Sequence, residues 1–163
     1  MTSSGAALNV ELQRNYLMNK EYLFYPLDDA LYLVPKPSRS DWLESISQAD
    51  TTLVSLLFIP LYIYLEKKDK ADRAAYRRAY KQQDTATLSR PRKAFTIRFD
   101  DIDKLHIDAK KSRVTTDWDK GKLTIHMKSG KSYVFPFYIY SQLDSIKLLI
   151  DSHLPNVEVE LVE

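Results

Sequence analysis

Two periodicities alternate along the chain. From Lys93 to Phe137 apolar residues recur at every second position. Phe95, Ile97 and Phe99 alternate with Thr96 and Arg98, and Leu105 and Ile107 flank His106. Val114, Thr116 and Trp118 lead to Gly121; Leu123, Ile125 and Met127 lead to Gly130; Tyr133, Phe135 and Phe137 follow. A period of two predicts half-buried antiparallel strands over 94–137, joined by turns short enough to be hairpins. Parity sets the register. A three-residue loop at Lys128-Ser129-Gly130 places Met127 opposite Lys131, Ile125 opposite Tyr133 and Leu123 opposite Phe135, whereas a two-residue loop splits the apolar set between the faces. By the same rule, a two-residue loop at Lys120-Gly121 pairs Trp118 with Leu123, Thr116 with Ile125 and Val114 with Met127.

Upstream, Tyr22-Leu23-Phe24-Tyr25 and Ala30-Leu31-Tyr32-Leu33-Val34 read as two strands within 21–35, with Pro26-Leu27-Asp28-Asp29 as the turn between them. Residues 1–20 are expected to be loose or to form a short helix lined by Leu8, Leu12 and Tyr16. After Phe137 the period becomes helical: Ile139, Leu143, Ile146 and Ile150 form a stripe, Leu149 and Leu154 widen it, and Pro155 ends it. This predicts a closing helix over 141–154. Beyond it, the alternation of Val157 to Val162 with acids between suits an exposed edge strand.

The middle of the chain departs from both patterns. A helical stretch over 41–83 opens at Asp41, with Glu44 three residues on. Thr51 to Leu65 carries no charge, and the segment 66–83 follows at once with seven basic residues, Lys67, Lys68, Lys70, Arg73, Arg77, Arg78 and Lys81. Three acids, Glu66, Asp69 and Asp72, leave it a net +4. Asp69 and Arg73 have the acid-before-base spacing of an ion pair one helical turn apart. A single straight helix would be about 64 Å long at 1.5 Å per residue. Pro60 removes a backbone donor and clashes with the preceding turn, so two helices or one sharply kinked helix is expected. Fifteen uncharged residues reach about 22 Å as a helix, short of a roughly 30 Å hydrocarbon core. A single crossing would also separate strands expected to share one sheet. Residues 51–65 are therefore expected in the core or at an interface, with an in-plane or re-entrant membrane contact as the alternative.

Composition then narrows the chemistry. Of 163 residues, 44% are hydrophobic and 28% charged, enough for a packed core and one domain. Twenty-four basic and 22 acidic side chains nearly cancel, which is not the balance of a protein that coats a nucleic-acid backbone. The absence of cysteine removes disulfides, thiolate metal sites and cysteine nucleophiles. Three scattered glycines allow no phosphate-cradling loop. His106, His126 and His153 lie on different elements without ligand spacing, so no metal is expected. Asp100, Asp101 and Asp103 read as turn formers at a strand corner. Neither a catalytic residue nor a cofactor is expected. The N-terminus lacks the basic start and apolar run of a signal peptide, which fits a cytoplasmic setting.

Three features together resemble the second half of bacterial pleckstrin-homology-like domains. Phe-Thr-Ile-Arg-Phe-Asp-Asp-Ile at 95–102 is a strand ending in an acidic corner. Leu-Thr-Ile-His-Met-Lys-Ser-Gly-Lys-Ser-Tyr-Val-Phe at 123–135 is a hairpin with glycine-lysine at its tip. An amphipathic helix from Gln142 to Leu154 closes the set. The resemblance spans residues 94–154, and the strands at 22–34 are similar to the start of such a domain. It implies an α+β fold: a bent antiparallel sheet or partly open barrel with a C-terminal helix, here carrying a helical insertion at about 41–83. It also implies a non-enzymatic binding or scaffolding module. The expected partner is a protein or an anionic lipid surface met through Lys67, Lys68, Lys70, Arg73, Arg77, Arg78 and Lys81. Residues 51–65 offer a contact for a homo-oligomer, and the expected location is cytoplasmic, peripheral at the inner face of the membrane. The alternatives are a small enzyme using exposed carboxylates and a weak nucleic-acid binder using the basic helix 66–83.

Overall fold

The computed structural model describes residues 8–13, 19–39, 52–109, 121–137 and 140–162. Strands β1 (Leu8–Gln13), β2 (Asn19–Pro26), β3 (Ala30–Pro35) and β4 (Phe95–Arg98) form an antiparallel sheet in that order. A second sheet contains β5 (Ile102–Asp108), β6 (Gly121–Met127), β7 (Ser132–Phe137) and β8 (Glu158–Val162), in the order β7-β6-β5-β8. Its β5, β6 and β7 are antiparallel, while β8 runs parallel to β5 at the edge. The helices are α1 (Thr52–Lys81), α2 (Thr85–Ser89) and α3 (Tyr140–His153). The fold is α+β. β1 runs beside β7, yet the two sheets do not close into a barrel.

The chain falls into two compact units. The first comprises the residues up to Pro35 together with those from Leu88 onward, and the second is Lys36–Thr87. The core of the first unit is built by alternation. Tyr22 and Phe24 of β2, Leu31 and Leu33 of β3 and Ile97 of β4 meet Leu105 and Ile107 of β5, Leu123 and Ile125 of β6 and Phe135 and Phe137 of β7. From α3, Ile146 and Ile150 close the cluster, with Leu154 just after the helix. Aromatic pairs tie the sheets together. Phe24 meets Phe135 edge-on at 4.9 Å, and Phe95 stacks on Tyr133 at 5.3 Å. A cavity among Phe24, Leu31, Leu105, Ile125, Ile146 and Leu154 measures only about 10 Å³, room for a water and no ligand.

The β6–β7 hairpin has the register that parity predicts. Ile125 faces Tyr133 and Leu123 faces Phe135. Met127 N donates to the Lys131 carbonyl at 2.8 Å, and Gly130 takes φ +82°, the left-handed conformation that ends a three-residue loop.

Other expectations are corrected. Residues 8–13 form a strand rather than a loose start or short helix. Leu8, Val10 and Leu12 also alternate, and pairing with the open edge of β2 (Leu8 opposite Phe24, Leu12 opposite Lys20) outweighs a marginal helical stripe. The partner of β6 on its other side is β5, with Ile125 opposite Leu105 and Ile107 opposite Leu123. The expected pairing of Val114, Thr116 and Trp118 with β6 lies outside the described residues, as do all of 110–120. Gly121 is needed for a different reason than a turn. At φ +140° it starts β6, and a β-carbon there would run into the Asp108 carbonyl and the Phe137 ring. The antiparallel sheet is in fact two sheets, one of them with a parallel edge strand.

Pro60 does not divide the insertion. α1 continues through it as one helix of 30 residues, about 45 Å at 1.5 Å per residue. Pro60 itself is exposed. The helix start expected at Asp41 lies outside the described residues.

Candidate functional site

The second unit brings the predicted cations onto one helix and assigns their surroundings. Its packed side is the side of the acids. Asp69 is buried at 2% exposure, and Ala79 is buried two to three turns on, with Asp72, Tyr76 and Tyr80 half-buried. From the segment that follows β3, Arg39 Nη1 reaches Asp69 Oδ1 at 3.1 Å and Asp72 Oδ2 at 2.6 Å. The hydrogen bond to Asp72, reinforced by both acidic charges, holds the Arg39 pKa above its ordinary value despite some desolvation. Burial, followed by the Asp72 charge, raises that of Tyr76. One turn along, Arg73 Nη2 donates to the Pro37 carbonyl at 2.9 Å.

This clamp changes how the charges of 66–83 balance. The sequence spacing offered Asp69 to Arg73, but the carboxylate accepts from Arg39, outside the helix. Asp72 is likewise turned to Arg39. Glu66 answers Lys70 at 2.7 Å. Among the described residues, no acid pairs with Lys67, Lys68, Arg77, Arg78 or Lys81, and all five are exposed. At 100° per residue, Lys67, Lys70, Arg77 and Lys81 fall within about 80° of one another around the axis, with Arg78 adjoining. Lys68 lies off this stripe. Arg73 sits at its border, tethered to Pro37.

In the described part of the uncharged run, 59–65, the core half of the expectation does not hold. From Ile59 to Leu65 no side chain is buried. Ile59, Leu61 and Ile63 are 47%, 40% and 43% exposed, and Tyr64 is 61% exposed. Ile59 and Ile63 continue the line of the cationic stripe, since Ile63, Lys67 and Lys70 follow at steps of four and three. Of all the described residues, no helix is long and apolar enough to cross a membrane.

The other candidates are held by local structure. Asp100 and Asp101 belong to a 3-10 turn, Phe99–Asp101, whose carbonyls receive Lys128: Nζ to Asp100 at 2.6 Å and the backbone N to Asp101 at 2.9 Å. His106 Nδ1 lies 3.2 Å from Glu160, and His126 Nδ1 lies 2.9 Å from Ser132 Oγ. His153 packs against the Phe99 ring. The three histidines thus have three separate settings. Sequence reasoning missed Arg39 and Pro37, which lie some thirty residues upstream of their partners and carry no motif. It also missed the exposure of Ile59, Leu61, Ile63 and Tyr64, whose only signal was the abrupt junction with Glu66.

No protein-family model matches this chain, and no curated protein shows significant similarity to it.

Proposed function

We propose that the protein is a binding module that docks on an anionic membrane surface through α1. The observation behind this reading is the junction within one helix: an exposed apolar stretch, Ile59 to Tyr64, runs without a break into a cationic face of which Lys70 alone, among the described residues, pairs with an acid of the helix. Water is a poor environment for the first half and gives little return on the second. The boundary between headgroups and acyl chains accommodates both. Ile59 and Ile63 enter it, the rings of Tyr62 and Tyr64 on either flank settle at headgroup level, and the lysines and arginines stay among the phosphates. Each basic residue near such a surface contributes about 1 kcal/mol, an attraction that salt screens. The geometry suits peripheral attachment from the cytoplasmic side, and the scaffold built on the two sheets carries the helix.

Vesicle co-sedimentation tests this. The protein is expected to bind vesicles containing anionic lipid at low salt and to leave neutral ones in solution. Substituting Lys67, Lys68, Arg77 and Arg78 together with glutamine is expected to abolish most of that binding while helical circular dichroism stays unchanged, because all four are exposed. Wild-type protein that ignores anionic vesicles at low salt overturns the reading. A dimer that dissociates on dilution and disappears in Ile59→Ser/Ile63→Ser would then assign the apolar stretch to a second copy.

A further inference from the structure

The cationic face of α1 is not evenly covered. Its centre is Ala74, whose side chain ends at the β-carbon. Around it stand Lys70 one turn before, Arg73 beside it, Arg77 and Arg78 one turn after, and Lys81 two turns after; together they line an open concavity. From Lys70 to Lys81 the axial distance is about 16 Å. The cations therefore form the rim of a shallow groove whose floor is a methyl group.

Two observations indicate that this groove is built for anions. The first is repulsion. Arg73 and Arg77, and Arg77 and Lys81, are like-charge pairs four residues apart, an arrangement that weakens a helix when nothing lies between them. Asp69 and Asp72, the helix's own counter-charges nearby, are drawn to Arg39 on the packed side. The second is a positioned guanidinium. Arg73, which lines the concavity, is held by its bond to the Pro37 carbonyl at 2.9 Å, so it has less side-chain freedom to lose on meeting an anion. Arginine presents its N–H groups in a planar fork that matches phosphate oxygens, and two arginines lie side by side at 77 and 78.

We infer that the groove over Ala74 is a binding site for a group carrying two phosphates, one met from the Lys70 and Arg73 end and the other from the Arg77, Arg78 and Lys81 end. This deepens the membrane reading and rests on it for the source of the ligand, a lipid headgroup. The chemistry of the groove is the same for a soluble diphosphate, so the two sources are tested separately.

Inorganic pyrophosphate is the soluble probe, titrated into the intact protein by calorimetry or by amide chemical shifts. Saturable one-to-one binding is expected. Ala74→Glu puts a carboxylate on the floor within reach of Lys70 and Arg78, and is expected to weaken binding at least tenfold with helicity retained. Ala74→Leu, which adds bulk without charge, is expected to weaken it by a smaller factor. Ile59→Ser/Ile63→Ser is expected to leave pyrophosphate affinity unchanged while losing vesicle binding. In the second arm, vesicles of diphosphatidylglycerol and of phosphatidylglycerol are compared at equal phosphate content. At least a fivefold preference for the two-phosphate lipid, removed by Ala74→Glu, supports a headgroup as the ligand. Pyrophosphate binding that responds to Ala74→Glu without any vesicle binding supports the groove with a soluble source, while the membrane reading fails. Absence of saturable pyrophosphate binding, or affinities that Ala74→Glu leaves unchanged, overturns the groove even where vesicles bind.

Discussion

Arg39 shows how one side chain sets the character of a surface it does not belong to. By donating to both Asp69 and Asp72, it fixes the segment after β3 to α1 and leaves the opposite face cationic. Asp69 is 3% exposed at its side chain and Arg39 45%, so the carboxylate is sheltered while the guanidinium is partly screened by water. Removing the arginine is therefore expected to cost about 1–2 kcal/mol, the lower part of the range for charged hydrogen bonds, because exposure weakens the pair. Urea unfolding of Arg39→Ala followed at the helical signal measures it; an unchanged midpoint would show that the clamp contributes nothing. The same variant is expected to weaken vesicle binding, since the Asp72 carboxylate loses its Arg39 partner and can turn to cations on the helix. A sequence scan pairs charges three and four residues apart, and the pairing of Asp69 with a residue thirty positions away has no such mark. For that reason the list of cations was legible and their availability was not.

At the scale of elements, the two ordered glycines of the second sheet make different demands. Gly130 needs a left-handed backbone and nothing more, because a β-carbon there meets open space. Gly121 needs both an unusual backbone and the absence of a side chain, squeezed between β5 and Phe137 of β7. Gly130→Ala is expected to cost about 1–2 kcal/mol, the price of the left-handed conformation. Gly121→Ala is expected to cost clearly more, since crowding against the Asp108 carbonyl adds to the strained dihedral. Thermal unfolding of the two variants side by side checks the order, and equal losses would contradict it. The β6–β7 hairpin was legible because period two and a short loop leave one register that keeps Leu123, Ile125, Tyr133 and Phe135 together. The partner of β6 on the other side was not. Val114-Thr-Thr-Asp-Trp118 carries the same parity as Leu105-His-Ile107, and parity alone does not choose between a near and a more distant strand. The C-terminal helix was legible from its stripe, of which Ile146 and Ile150 are buried. The parallel pairing of β8 with β5 depends on where α3 returns the chain, which no local pattern encodes.

Over the whole molecule, the cationic face and the core of the sheets belong to different units. Hydropathy showed the apolar run at 51–65 but not the exposure of its described part, 59–65, because a buried helix and an exposed apolar one have the same composition. The connectivity of the first unit has a consequence in time rather than in space. Leu33 pairs with Phe95 and Ala30 with Arg98, so β3 and β4 are neighbours in a sheet although the whole of α1 and α2 intervenes in the chain. Among the described residues, the other antiparallel strand pairs are separated by far shorter stretches of chain. The β3–β4 pairing therefore closes the longest loop among them, and is expected late in folding, after the hairpins have formed. Replacing Lys36–Thr87 with a turn of about four residues shortens that loop and removes about 1.5 kcal/mol of closure entropy. Such a chain is expected to refold faster than the full-length protein in stopped-flow circular dichroism. A refolding rate equal to that of the full chain would mean that the helical unit forms early and holds the two strand ends together while the sheet assembles.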